Sequence, residues 1–506
     1  MKPSPSQRLA VSLVALKALQ EAGCVAIRSQ DLSRVDRERL LRHGFLREVM
    51  KGWYVPTRPD EPPGESTAWV AAFWPYCASY LASRFEDAWC VSPEQSLRIH
   101  TGDWTVPRQL LVRSPLAGNK PTALLHDTSI FDLRLALPEA SALTVIDGIR
   151  VYRLPAALVA CSAAHYTAQP TDMRVALSMI GDASELLRLL LDRGHTVIAG
   201  RLAGALRNIG RGHLADQILG AMRAAGHTVV ETDPFEAASP VALHTLAVSP
   251  HVNRLHMTWE RMRATVLQCF PAPSAPALST SEYLRQMDAN YVSDAYHSLS
   301  IEGYQVTTAL IERVRSGRWN ADADADDRQH RDALAARGYW QAFQAVRESI
   351  EQVLAGQNAG AIADRDHPTW YRELFGPSVT AGILRPADLA GYRSASVHIR
   401  RSMHTPPRAD AVRDVMPALF GRLQQETAAP VRVVLGHFFF VAIHPYLDGN
   451  GRMGRFLMNV MLASGGYPWM TVPLERRSDY IDALERASVH GDIEPFATFL
   501  ASLLRT

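Results

Sequence analysis

HPYLDGNGRMGR, residues 444–455, lies between two apolar segments, VRVVLGHFFFVAI (431–443) and FLMNVMLASGG (456–466). This order predicts a helix, a loop and a second helix. A glycine-rich loop that opens a helix brings backbone N–H groups and the positive end of the helix dipole to one point, which suits phosphate. The same segment supplies a carboxylate for Mg²⁺, two arginines for phosphate charge, and a histidine that can act as a base near neutral pH. Together these residue types predict a nucleotide-transfer site.

The segment resembles the Fic family motif, HPFxxGNGRxxR, with Tyr446 in place of the phenylalanine. The resemblance implies an all-α core and transfer of AMP from ATP onto a protein hydroxyl, with Mg²⁺ as cofactor. The roles it implies are a base that deprotonates the target (His444), a Mg²⁺ ligand (Asp448), groups at the α- and β-phosphates (Asn450 with the Gly449 and Gly451 amides) and cations on the phosphate tail (Arg452, Arg455). A Gly-Asn turn with a structural histidine is the alternative, and it explains only one or two of these residues.

A second motif, SLSIEG (298–303), ends the segment SEYLRQMDANYVSDAYHSLSIEGY (281–304). Apolar residues at three-to-four spacing predict one long helix that runs toward the end of this segment. The motif is similar to the family's inhibitory pattern, [S/T]xxxE[G/N], whose matching residues here are Ser298, Glu302 and Gly303. The similarity implies that Glu302 pairs with Arg455 and occupies the place of the γ-phosphate, so that the enzyme is inactive at rest. An ordinary helix C-terminus with a left-handed glycine cap is the alternative.

Upstream of the catalytic motif, ILRPADLAGYRSASVHIRRSMHTPP (383–407) resembles the segment that precedes the active site in many Fic proteins. Within it, SVHIRRSMH alternates around Val397 and Ile399 and predicts a β-hairpin flap. The resemblance implies that this flap, residues 395–404, binds an extended segment of the target protein by strand addition. An ordinary surface hairpin is the alternative.

Downstream, YPWMTVPLERRSDYIDALERAS (467–488) predicts a helix. The resemblance implies that this helix lies near the adenine, with Ile481 and Ser488 beside the base. An asparagine is common in the family at the Ser488 position, so a base preference other than adenine stays open.

Composition limits the class of protein. A chain of 506 residues is too long to fold around one ordinary hydrophobic core. A net charge of +2 with 21% charged residues argues against disorder and against a surface that is basic everywhere. Five cysteines without a CxxC pair indicate neither a zinc site nor a disulfide framework, which predicts a reducing cytoplasm. No eighteen apolar residues run together, and Lys17 and Gln20 interrupt the apolar N-terminus, so we expect an amphipathic helix there and no membrane partner.

Residues 1–60 predict a winged helix-turn-helix, because helical patterns at 9–22 and 29–43 precede two short strands in GFLREVMKGWYV (44–55). This region holds 11 Lys and Arg against 6 Asp and Glu, a local basic surplus on a nearly neutral chain. A DNA-binding module has such a surplus. The alternative is a winged-helix fold used only for packing or for forming a homo-oligomer.

Between these regions, residues 61–190 mix strand-like and helical runs and predict an α+β domain. Together with the winged helix, they loosely resemble the antitoxin-type regulators of abortive-infection systems. Residues 191–275 predict helices and then a linker rich in Pro, Ala and Ser, with a domain boundary near 275. The run ADADADD (321–327) lacks the glycine and the bidentate acid of a calcium loop, which favours a solvated loop.

The predicted fold is therefore multidomain. A winged helix-turn-helix and an α+β domain precede an all-α Fic core with a β-hairpin flap, in residues 276–506. Three functions remain open: an autoinhibited protein adenylyltransferase, a hydrolase that uses Glu302 to remove AMP from modified proteins, and a DNA-binding regulator whose Fic domain senses without reacting.

Overall fold

The computed structural model of the chain describes residues 4–61, 64–239, 249–273, 278–318 and 331–504. Contacts between Cα atoms divide the chain into two compact units, one of Met1–Pro250 with His398–Thr405, the other of His251–Val397 with Pro406–Thr506. The first unit therefore ends earlier in the chain than the boundary expected near 275. The calcium-like run ADADADD lies outside the described residues.

The first unit begins with two helices and a small sheet. The elements are α1 (Pro5–Glu21), β1 (Ile27–Arg28), α2 (Arg34–Arg42), β2 (Leu46–Met50) and β3 (Trp53–Pro56). Ser4 and Gln7 form a capping box at the start of α1, and the Ser33 side chain caps α2. The sheet is antiparallel with the order β1-β3-β2, and Gly52 makes the β2–β3 turn with φ of 85°.

The rest of the first unit mixes helices and strands. The helices are α3 (Thr67–Phe85), α4 (Pro93–His100), α5 (Leu154–Ala160), α6 (Ala164–Ala168), α7 (Pro170–Ser178), α8 (Ser184–Asp192), α9 (Thr196–Asn208) and α10 (Gly212–Ala224). The strands are β4 (Cys90–Val91), β5 (Gln109–Ser114), β6 (Pro121–Ala123), β7 (Ser129–Arg134), β8 (Leu143–Ile146) and β9 (Ile149–Tyr152). One sheet has the order β4-β5-β7-β6 with β5 and β7 parallel, and β8 pairs with β9.

The described residues of the second unit contain helices and no β-strand. The helices are α11 (Pro250–Cys269), α12 (Thr280–Ile301), α13 (Thr308–Arg315), α14 (Arg331–Leu354), α15 (Ala359–Thr380), α16 (Ala409–Gln425), α17 (Ala429–Ile443), α18 (Asn450–Ala463), α19 (Arg477–His490) and α20 (Glu494–Leu503). Helix α11 packs into the core of this unit through Trp259 and Met262, which is why the unit begins before the predicted linker.

Helices α17 and α18 form the centre of the second unit. Their buried residues run around the whole helix instead of along one face, as expected of helices surrounded by protein, and in α18 they include the polar side chains of Arg452, Arg455 and Asn459. The loop of residues 444–449 joins them, so it is carried by two rigid, buried elements. Within the described residues, no helix combines the length and the apolar character that crossing a membrane requires.

The predicted β-hairpin flap is not formed. Residues 395–404 contain a turn closed by the hydrogen bond from Ser402 N to Ile399 O at 3.2 Å, with Arg401 at a φ of 58°, but no strand flanks it. Alternating apolar residues make a strand only where a neighbouring backbone pairs with them. Here the Arg401 N–H instead donates to the Glu65 carboxylate at 2.9 Å, and Pro406 and Pro407 offer no N–H group.

Candidate active site

His444 is the C-cap of α17, directly after its last residue Ile443, and has a left-handed backbone, with φ of 54° and ψ of 59°. Residues other than glycine rarely adopt this backbone conformation, because it costs energy. Where such a residue does occur, it is frequently at a functional site. The ring Nδ1 lies 3.1 Å from the carbonyl oxygen of Val441. If Nδ1 carries the proton and donates to that carbonyl, Nε2 is the nitrogen that can accept a proton.

Arg393, which the sequence reasoning missed, fixes the backbone at this point. Its side chain is 2% exposed, and its Nε donates to the His444 carbonyl at 2.7 Å. Its remaining N–H groups donate to the carbonyls of Ile443, Ala395 and Pro407. Burial lowers the pKa of Arg393 to about 10, so the guanidinium stays charged at neutral pH. Nothing in the residue's local pattern signalled this role, since its partners come from three separate parts of the chain.

Asn450 holds the shape of the loop. The side chain is 1% exposed; its Oδ1 accepts from Tyr446 N at 2.9 Å, and its Nδ2 donates to Tyr446 O at 2.8 Å. Oδ1 and one of the two N–H groups of Nδ2 are therefore bonded to the loop backbone. The expected contact of this side chain with phosphate stays a prediction, in which the second N–H of Nδ2 and the neighbouring backbone N–H groups are the phosphate donors.

The N-terminus of α18 supplies those donors. Gly449 caps the helix with φ of 81°, and the first intrahelical bond runs from Met453 N to Gly449 O at 2.9 Å. The N–H groups of residues 450–452 precede this bond and lack an acceptor within the helix. The Gly449 N–H already has an acceptor, because it donates to Asp448 Oδ1 at 2.6 Å.

Asp448 and Arg452 lie beside this helix end. The Asp448 side chain is 62% exposed, and its Oδ2 is 3.7 Å from Nη2 of Arg452. The Arg452 side chain is only 1% exposed and is stacked between the Tyr304 ring at 5.1 Å and the Phe375 ring at 5.0 Å. Two aromatic faces thus hold this guanidinium, which the sequence did not predict. A cavity of about 250 Å³ borders all four side chains.

Arg455 is buried and bound to the end of α12. Its Nε donates to Ser298 Oγ at 2.8 Å, and its Nη2 donates to Ser298 O at 3.0 Å and to Glu302 Oε1 at 2.7 Å. The Glu302 side chain is 31% exposed, whereas that of Arg455 is 5% exposed. Burial raises the pKa of Glu302, but the positive charges of Arg455 and Arg452 outweigh it and hold that pKa below its usual value.

The Glu302 carboxylate also lies over the helix end that would receive phosphate. A Cβ atom placed on Gly451 would collide with Oε1 of Glu302. The carboxylate therefore lies against Gly451 in the first turn of α18 while it pairs with Arg455. Gly303, at φ of 89°, ends α12 directly after it.

The two residues expected near a base lie on α19. They are seven positions apart, and seven residues are about two turns, so they share one side of that helix. Ile481 is partly buried against the core, and Ser488 Oγ donates to Glu485 O at 3.2 Å. The hydroxyl of Ser488 is thus bound to its own helix.

Among the described residues, no group of three or more His, Cys, Asp or Glu side chains could hold a metal by itself. A single exposed carboxylate such as Asp448 still suits Mg²⁺, which commonly takes one or two carboxylates and completes its shell with water and substrate phosphates. All five cysteines are unpaired: Cys24, Cys77, Cys90, Cys161 and Cys269.

Several known proteins are similar in sequence to part of this chain. A protein adenylyltransferase Fic from Drosophila willistoni is 30% identical over 246 residues, which are 48% of this chain and 46% of that protein. Its counterpart from Drosophila grimshawi is 31% identical over 215 residues, 42% of this chain and 41% of that protein. The chain spans less than half the length of these curated relatives.

A solved fragment of Fic-1 from C. elegans covers 64% of this chain and 89% of its own, at 19% identity and a TM-score of 0.37. A score this low does not establish a shared fold. The model of the Fic/DOC family matches residues 368–462, which include α17, the loop and most of α18. The second unit of this chain therefore contains a Fic/DOC family domain.

Proposed function

We propose that this chain is a protein adenylyltransferase that transfers AMP from ATP to a hydroxyl of a target protein, and that Glu302 restrains it. The observation that supports this most strongly is the position of the Glu302 carboxylate, bonded to Arg455 and lying over Gly451 at the start of α18. A phosphate tail needs the same cation and the same N–H groups. Restraint and catalysis would then compete for one place.

In the proposed reaction, His444 takes the proton of the target hydroxyl while the hydroxyl oxygen attacks the α-phosphorus. The bond to the β-phosphate oxygen breaks, and pyrophosphate leaves. Arg452 and Arg455 balance the phosphate charge, and the N–H groups of residues 450–452 orient the oxygens. When bound, Mg²⁺ would supply charge neutralisation, with Asp448 as its protein ligand.

The Asn450 side chain has a second part in this proposal, beside its expected contact with phosphate. Because it is bonded to Tyr446, it keeps the loop in the shape that presents the backbone N–H groups. Ile481 and Ser488 remain candidates for the base contact on the strength of the resemblance alone.

A hydrolase that removes AMP is the second candidate. The Glu302 carboxylate is 31% exposed, so water can reach it, and a carboxylate beside the phosphate site can orient a water molecule. If Glu302 orients that water, its replacement should abolish removal of AMP from a pre-modified protein. If Glu302 only restrains transfer, its replacement should not abolish that removal.

For the first unit we propose DNA binding by a winged helix at residues 1–60, as in an antitoxin-like regulator. The support is the order α1, β1, α2, β2, β3 and the basic side chains that α2 and the β2–β3 turn leave exposed, Arg34, Arg42 and Lys51. We further propose that the target protein binds at residues 395–404. The support there is Arg400 and Arg401, whose side chains are 74% and 51% exposed.

The proposed transfer is tested with the full chain, Mg²⁺ and ATP labelled in the α-phosphate. Labelled protein is expected, either the chain itself or a band in a cell lysate, and His444→Ala should abolish it while nucleotide binding persists. Labelling by His444→Ala at the wild-type rate would contradict the assignment. A parallel reaction with ATP labelled in the γ-phosphate should give no labelled protein, because pyrophosphate leaves.

A further inference from the structure

The inhibitory helix α12 carries a second buried carboxylate, which neither motif includes. Asp294 is 4% exposed, and it precedes Ser298 and Glu302 by four and eight residues. Residues at this spacing lie on one face of a helix. Asp294, Ser298 and Glu302 therefore form one line along α12, about 12 Å long, on the side that faces Arg455.

Each oxygen of Asp294 has its own partner. Tyr339 Oη, on α14, donates to Oδ2 at 2.6 Å, and Thr471 Oγ1, just beyond α18, donates to Oδ1 at 3.0 Å. Tyr339 is 1% exposed. Two donors from separate elements fix both the rotation of α12 about its axis and its position along that axis. A buried carboxylate is costly unless such bonds stabilise it, and here burial raises the pKa of Asp294.

The segment of residues 471–477 binds α12 at two more points. Leu474 N donates to His297 Nδ1 at 3.1 Å, and Arg477 Nε donates to Ile301 O at 2.8 Å. The contacts at 294, 297 and 301 follow the helix to its last turn. A cation at the last carbonyls of a helix is favourable, so the Arg477 contact also stabilises the end that carries Glu302.

Glu302 needs this support because it lies at the C-cap of α12, where helices fray. It bonds to Arg455 through Oε1, at 2.7 Å. We propose that Asp294 is the positioning residue of the restraint: through Tyr339 and Thr471 it holds α12 so that Glu302 reaches Arg455. The inference rests on the proposed function, because it assigns a support to the same restrained site.

The test compares autolabelling by the full chain with α-labelled ATP and Mg²⁺. Tyr339→Phe and Thr471→Val each remove one hydroxyl and keep the shape, and Asp294→Asn removes the charge. Each is expected to raise the rate about three- to tenfold, the effect of losing one hydrogen bond from the restrained state. Glu282→Gln is the matched control, because Glu282 lies on the same helix, is 50% exposed and pairs with Arg285 of that helix. It should leave the rate unchanged.

A gain in rate separates this role from a merely structural one, since damage to the fold lowers activity. In the Glu302→Gly background, Tyr339→Phe should add nothing, because both changes act through one contact. If Glu302→Gly raises the rate but Tyr339→Phe, Thr471→Val and Asp294→Asn, with thermal unfolding close to wild type, do not, the positioning role is wrong. If Glu302→Gly itself gives no gain, the restraint fails, and the positioning role with it.

Discussion

At the scale of single residues, the site depends on a backbone that one arginine holds in an unfavourable conformation. His444 has a left-handed φ, and Arg393 bonds to its carbonyl and to that of Ile443. A lysine at 393 would keep the charge but not the planar array of donors. The ring of His444 would then shift relative to the target hydroxyl.

Arg393→Lys should therefore lower the transfer rate by about 10- to 100-fold, since a displacement near 1 Å costs this much in positioned catalysis. Binding of ATP should change little, because the phosphate donors belong to α18. Arg385→Lys is the control, as Arg385 is 83% exposed and pairs with Asp388. A variant at 393 with normal turnover would show that the His444 backbone does not need this support.

The charge of Glu302 leads to a prediction about pH. Burial raises the pKa of Glu302 in the folded protein, but the positive charge of Arg455 lowers it, and the resulting pKa lies below the usual 4.5. The stabilisation from its ionised form is therefore complete above about pH 4.5 and is lost as the pH falls through the lowered pKa. The difference in thermal unfolding temperature between wild type and Glu302→Gln should stay constant from pH 8 to 6 and shrink in acid. A difference that shrinks between pH 8 and 6 would contradict the ionised pair.

At the scale of elements, residues 398–405 are held by the first unit's own contacts. The Glu65 carboxylate, 4% exposed, accepts from Arg401 N and lies 3.6 Å and 3.9 Å from the Nε atoms of Arg400 and Arg401. Burial raises the pKa of Glu65, but bonds from Thr67 and Arg401 bring it below the usual value. The carboxylate is thus a charged acceptor for this segment at neutral pH.

Glu65→Gln should loosen the segment and speed tryptic cleavage after Arg400 and Arg401 several-fold. The physical reason is that a neutral amide is a weaker partner for two guanidinium groups. Asp60→Asn is the control, because it removes an exposed carboxylate that pairs with Arg58. Trypsin should cleave this variant at the wild-type rate. Equal cleavage of Glu65→Gln and wild type under native conditions would show that Glu65 does not hold the segment.

At the scale of the whole molecule, the sequence predicted those parts whose pattern is local. The helices on either side of residues 444–449 follow from their apolar runs, and the long helix before Gly303 follows from apolar periodicity. The remaining features depend on contacts between distant residues. The segment 395–404 forms no strand pair, and its Arg401 N–H donates to the distant Glu65, while Asp294 meets Tyr339 and Thr471 only in the folded chain. Periodicity carries no signal for such contacts.

The basic surplus of residues 1–60 leads to a prediction for the full chain and DNA. Affinity for duplex DNA should fall steeply with salt, and Arg42→Ala with Lys51→Ala should reduce both the affinity and the salt dependence, because two phosphate contacts are lost. Lys17→Ala is the control, since Lys17 is paired with Glu21 on α1. No binding at low salt, measured by fluorescence anisotropy, would leave residues 1–60 as a packing or oligomerisation module.

The central claim is that Glu302 restrains a competent transferase by occupying Arg455. The most direct measurement is the rate of autolabelling by the full chain with α-labelled ATP and Mg²⁺, for wild type, Glu302→Gly, and Glu302→Gly combined with Arg455→Ala. Freeing Arg455 for the phosphate tail should raise the rate at least about tenfold, equivalent to about 1.4 kcal/mol, and the double variant should lose the gain. A Glu302→Gly protein no faster than wild type would contradict the account.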